Sequence, residues 1–184
     1  MSIFGEEKAA SLINMLGGTH EEQMAWASSI NTSRNTIEDS WRTAFRGLGS
    51  TPEFQAIENQ HMQPYIDKAV EIANKYGFKS ERGLALAFDI AVQNGGVRKT
   101  ANQTIIDNIK NQEINLGRVL TEVEVMKIVA NAVADASRQQ FREDVRSRKM
   151  TIATGTGNVH GQRYNVYEDY GISRVRSWYP EPQN

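Results

Sequence analysis

The stretch "LALAFDIAVQNGG", residues 84 to 96, is the strongest constraint on how this chain can fold. Read as a helix over residues 80 to 94, it is apolar nearly all round, with Leu84, Leu86, Phe88, Ile90 and Val92 pointing in several directions. Such a helix belongs at the centre of a domain, because no single face can be turned to water. Yet Asp89 and Gln93 interrupt it. A lone ionised carboxylate in a core is costly, so Asp89 needs a cationic partner. Arg82, Asp89 and Gln93 share a face by spacings of seven and four. Arg82 is about 10 Å away along the axis, at about 1.5 Å per residue, a long reach even for arginine. The helix in "SRQQFREDVRSRKMTIA" offers better donors: Arg138, Arg142, Arg146 and Lys149 share a face there. One of these, Arg142 or Arg146 before the others, is expected to reach Asp89. The resulting ion pair has two readings. It fixes how two helices pack, or it braces the back of an active-site cleft.

The rest of the chain reads as helices. Gly5 to Leu16 carries Ala9, Leu12, Ile13 and Leu16 at helical spacing, and Gly17-Gly18 stop it. "THEE" and "TEVE" are Thr-x-x-Glu capping boxes, Thr19 with Glu22 and Thr121 with Glu124. A further helix carries Ile37, Trp41, Ala44 and Phe45. "STPEF" opens a long helix to Tyr76, which Pro64 should kink or split. "VRKTANQTIIDNIKNQ" reads as a weaker helix or an irregular connection with a helical middle. The basic helix either continues from the one before it or follows a break near Ala136. "TGTGNVHG" reads as a glycine-rich loop, and no segment shows convincing strand alternation. The expectation is all-α: about eight helices in a single helical domain, with N-terminal helices over 1–50, a helical body over 51–173 and a tail over 174–184.

Composition narrows the function classes. Lys plus Arg number 21 against 22 Asp plus Glu in 184 residues, so no nucleic-acid partner is expected. The absence of cysteine excludes disulfides and thiol catalysis. No apolar run approaches a membrane span, so no membrane partner is expected. The start "MSIFGEEKAASLINML" lacks a secretory signal pattern, so synthesis in the cytoplasm is expected, with release, if any, by another route. No His-x-x-x-His or His-Glu-x-x-His pair points to zinc, and "GTG" lacks the phosphate-loop pattern, so no metal and no cofactor are expected. No Gly-x-Ser-x-Gly elbow is present. Trp26 and Trp41 are expected in the core, and Trp178 in a more open position that could stack on a sugar.

"FDIAVQNGG" (88 to 96), "FREDVRSRKMTIATGTGNVHGQRYNV" (141 to 166) and "YGIS" (170 to 173) together resemble the helical part of phage and prophage lysozyme-like domains. These are related in fold to the chitosanase family of glycoside hydrolases. The resemblance covers about residues 50 to 173. It implies a lysozyme-like helical lobe and a cleft for a β-1,4-linked amino-sugar polymer, with peptidoglycan the expected one. It places Asp89, Gln93 and Asn94 on the cleft-forming helix, Arg142, Arg146 or Arg148 as network partners, and His160 near the substrate groove. A phage endolysin would leave the cell, or join the virion, through phage machinery. The chain departs from the family in its first fifty residues. The family carries an early general-acid Glu followed by a Gly/Asp-rich hairpin with the second carboxylate, and nothing before Thr51 resembles that hairpin. The catalytic acid is therefore unassigned. Hydrolysis is expected to need an upstream segment or a partner chain. The alternative is a non-catalytic module that binds glycan or docks on protein. A body lacking that lobe would expose apolar surface, which fits a homo-oligomer or a complex with a partner.

Overall fold

The computed structural model describes residues 3–178, and these are all-α apart from one small hairpin. The chain forms two compact units, residues 1–61 and 62–184. The division between them falls inside one helix.

The first unit holds α1 (Gly5–Leu16), α2 (His20–Ser29), α3 (Asp39–Gly49) and the first turns of α4 (Pro52–Tyr76). The Thr19 capping box forms as expected: the Thr19 backbone N–H donates to Glu22 Oε2 at 2.7 Å, and the Glu22 N–H donates to Thr19 Oγ1 at 3.3 Å. Trp41 is buried, and its ring meets Trp26 edge-on at 5.2 Å and Phe45 at 5.9 Å. The Trp26 indole N–H donates to Ser11 Oγ. This aromatic cluster gives a short run of helices a core that aliphatic side chains alone would not supply.

The second unit is built round α5 (Glu81–Asn94). Leu86, Ala87 and Ile90 are fully buried. They pack with Ala69, Ile72 and Ala73 of α4, Ile105 of α6 (Lys99–Leu116), Met126 and Val129 of α7 (Glu122–Asp135) and Ala153 of α8 (Arg142–Thr154). The expectation of a central helix holds. α4 runs through Pro64 as one helix, and α6 is a complete helix of 18 residues where the sequence read as a weak or irregular segment. Its polar residues face water, while Ala101 and Ile105 supply the buried stripe. A break does separate α7 from α8, as a 3-10 turn over Gln139–Phe141.

Two expectations are corrected. "TGTGNVHG" is not a loop: β1 (Thr156–Val159) pairs antiparallel with β2 (Gln162–Asn165). His160 and Gly161 form the two-residue turn, both at positive φ, 51° and 78°. That is the backbone of a type I′ hairpin turn, in which histidine takes a place usually held by Asn or Asp. Nor is Trp178 open. The segment after α9 (Val166–Tyr170) lies along the start of α5, where Glu81 N–H donates to Arg176 O and Arg82 N–H to Ser173 O. Trp178 packs against the core, and its indole N–H donates to Phe78 O at 3.0 Å. The carbonyls of this strap satisfy donors that a helix start leaves unpaired.

Tyr76 gives the core a pH limit. Its hydroxyl donates to Asn102 Oδ1 at 2.9 Å, and burial pushes its pKa up to about 12 from 10.0. A phenol whose pKa is higher folded than unfolded contributes stability below pH 10, and that contribution fades as pH rises towards 12. Denaturant titrations at pH 9 and pH 11.5 are expected to show this loss in the wild type and a smaller one in Tyr76→Phe.

Candidate functional site

The polar interruption of α5 is held by α8. Asp89 is nearly buried, its side chain 11% exposed. One of its carboxylate oxygens accepts from the Arg148 guanidinium. The other accepts from Lys149 Nζ at 2.7 Å, and the same ammonium donates to Gln93 Oε1 at 2.7 Å. Lys149 is wholly buried. Burial, the largest influence, pulls its pKa below the ordinary value, and the adjacent Asp89 carboxylate opposes that pull. The network is thus a buried ammonium shared by a carboxylate and an amide, with an arginine closing its outer side.

Arg142 and Arg146, the expected partners, are elsewhere. Arg146 donates to Asn131 Oδ1 at 2.6 Å and pairs with Asp135 at 2.7 Å, both on α7. Arg142 Nε reaches the Ser137 carbonyl. The face that turns Arg142 and Arg146 towards α7 lies beside, not on, the face that meets α5. Val145, Lys149 and Ala153, four apart, form the buried stripe of α8. A lysine in the middle of such a stripe was the signal that marked the true partner. Arg148 belongs to the network. Asn94 does not, because its amide nitrogen approaches Ser137 Oγ at 3.5 Å while its buried Oδ1 accepts no hydrogen bond. Arg82 also stays apart from Asp89, despite sharing its helix.

A groove of about 640 Å³ opens beside this network, lined by Phe88, Asp89, Arg148, Ile152, His160 and Tyr164, among others. The hairpin forms one wall. Gly157 allows it to lie close against α8: a Cβ there would stand 2.1 Å from Thr151 Oγ1 and 3.2 Å from Thr151 Cα. His160, at the hairpin tip, pairs with Asp144 in the first turn of α8. Tyr164 and Tyr170 stack with ring centroids 6.3 Å apart. A second depression of about 410 Å³ shares Ala85, Phe88, Tyr170 and Ile172 with the first and extends to Glu81 and Arg176. The walls are mostly apolar and aromatic, with few polar groups, as suits a site that binds by shape and uses charge for orientation.

The chemistry available is limited. Both Asp89 oxygens accept from cations, which ties the carboxylate to the α8 network. Glu81 is held by Arg176 Nε at 2.7 Å and by the Ser173 N–H at 2.9 Å. Eight positions separate the two acids on one helix, a rise of about 12 Å. Paired glycosidase carboxylates stand roughly 5 to 9.5 Å apart. Among the described residues no group of three His, Asp or Glu side chains could hold a metal ion, and no helix is long and apolar enough to cross a membrane. Sequence reasoning, which took the six tyrosines together as possible sugar-stacking platforms, did not single out Asp144, Tyr164 or Tyr170, which come together only because the hairpin and α9 fold back over α5 and α8.

Compared with known proteins, the chain matches no family model, no curated protein and no solved structure.

Proposed function

We propose that the chain binds a β-1,4-linked amino-sugar polymer, with peptidoglycan the expected ligand, in the groove over α5, α8 and the hairpin, and does not hydrolyse it by itself. The observation that carries this reading is the groove's lining: aromatic rings of Phe88, Tyr164 and Tyr170 next to a half-exposed arginine anchored by Asp89. Pyranose rings present C–H faces to aromatic rings, and Arg148 can meet a carboxylate of the ligand. The resemblance to lysozyme-like domains supports the same ligand class. Hydrolysis would need a carboxylic acid from elsewhere, since Asp89 in the groove and Glu81 in the adjoining depression are committed to cations and lie too far apart.

Insoluble peptidoglycan is expected to retain the purified chain, and dye-labelled peptidoglycan to release no colour. Tyr170 is mostly exposed, so Tyr170→Ala is expected to fold normally. It should weaken retention about 2- to 12-fold, the worth of one aromatic contact. Dye release by the chain alone would establish a hydrolase instead. Absence of retention would remove the glycan reading.

A further inference from the structure

The Arg82 side chain has no part in the Asp89 network or in the groove beside it. It sits in the first turn of α5, 8% exposed, and its Nε is buried without a hydrogen-bond partner. Its guanidinium makes no hydrogen bond or ion pair among the described residues. The Glu122 and Glu81 carboxylates make their hydrogen bonds elsewhere. Glu122 Oε1 accepts from the backbone N–H groups of Lys79 and Ser80 and from Ser80 Oγ, and Glu81 is tied to Arg176 and Ser173. A buried guanidinium with no direct partner is among the costlier arrangements in a protein, and the Glu122 charge offsets that cost only in part, ranking behind burial and Arg174 among the influences on Arg82. Here a second cation makes it worse: Arg174 is close enough that, after burial, its charge is the next cause lowering the Arg82 pKa.

Both arginines line one pocket of about 360 Å³, between the end of α8, the start of the hairpin and the strap over residues 171–175. Among the described residues no carboxylate lines it. Its polar groups include donors. Ser173 Oγ accepts from the Val175 and Arg176 N–H groups, which leaves its own proton to give. Thr156 and Asn165 also face in. Gly155, at φ +92°, makes room for the cation, since a Cβ there would stand 2.5 Å from an Arg82 terminal nitrogen.

We propose that this pocket is an anion site that takes a phosphoryl group, with Arg82 as its buried floor and Arg174 as its exposed arm. Two guanidiniums match the double charge of a phosphate monoester or of inorganic phosphate, and the hydroxyls supply donors to its remaining oxygens. A single carboxylate would leave one cation uncompensated. The site is distinct from the glycan groove and does not depend on that reading.

The test is thermal unfolding of the full chain, with 31P NMR line-broadening, at constant ionic strength and neutral pH. Inorganic phosphate, glycerol phosphate and acetate are compared with chloride. Phosphate at ten times its dissociation constant raises the folded-to-unfolded ratio about 11-fold, which moves Tm by roughly 4–8 °C for a unit of this size. Response to glycerol phosphate as well marks a site open to the phosphoryl group of a larger ligand. Response to inorganic phosphate alone marks one closed round the free ion. Arg82→Met is expected to abolish both the shift and the broadening. Arg174→Ala changes only an exposed side chain and is expected to weaken binding at least tenfold with unchanged Tm in chloride. The proposal is overturned if phosphate gives no shift and no broadening, if acetate matches it, or if Arg174→Ala responds like wild type.

Discussion

Asp89→Ala is expected to destabilise the chain by about 3–5 kcal/mol at pH 7, because it strands the wholly buried Lys149 ammonium. Gln93 remains as an acceptor but carries no charge, and Arg148 loses its partner at the mouth of the groove. Two further measurements separate this cause from ordinary packing loss. The first is pH. Asp89 is what holds the Lys149 pKa up against burial, so without it that pKa falls further. A lysine whose folded pKa lies below its unfolded one costs stability while it is charged. That cost fades as pH rises through the folded value towards 10.5. The penalty of Asp89→Ala relative to wild type should therefore be smaller near pH 9.5 than at pH 7. The second is the double variant Asp89→Ala with Lys149→Met. Removing the stranded charge should recover much of the loss, since an apolar residue can replace a buried ion pair at little net cost. An unchanged melting temperature in Asp89→Ala, or a double variant less stable than the sum of its parts, would contradict a network built on the buried ammonium.

Gly157→Ala is expected to cost up to about 3 kcal/mol and to damage the groove. A methyl group at 157 meets not the end of a flexible chain but Thr151, whose Oγ1 is held on the Ser147 carbonyl and whose Cα is part of α8. The hairpin must lift away from the helix. Its lifting takes Tyr164 and His160 with it, and those residues form one wall of the groove. Loss of peptidoglycan retention alongside a lowered denaturation midpoint is the expected pair of results. Retention equal to wild type would mean that the hairpin wall does not contribute to binding. His160→Ala serves as the comparison. It is mostly exposed and removes the pairing with Asp144 without forcing the backbones apart.

Much of the helical order was legible in the chain itself. Thr19 with Glu22 and Thr121 with Glu124 form capping boxes where the spacing placed them, because a cap needs only residues three apart and its own backbone. Glycines ended α1, α5, α6 and α8, as left-handed or terminal backbone requires. The all-round apolar character of α5 placed it at the centre, because a helix with no polar face has nowhere else to go. The need of Asp89 for a cation could also be read from sequence, since a carboxylate in a core must be compensated.

Which cation answered that need could not. Arg142, Arg146 and Lys149 were placed on one helical face, and only the rotation of α8 against α5 decided that the lysine would be sealed in while Arg148 closed the outside. The hairpin was missed because its two strands are four residues each and its turn uses His-Gly, so neither alternation nor an Asn-Gly pair announced it. The groove and the paired Arg82 and Arg174 draw on residues far apart in the chain. Local sequence fixes caps, ends and apolar faces because those depend on neighbours along the chain. The choice of ion-pair partner and the shape of a pocket depend on how rigid elements rotate and close on one another, and that is settled by packing alone.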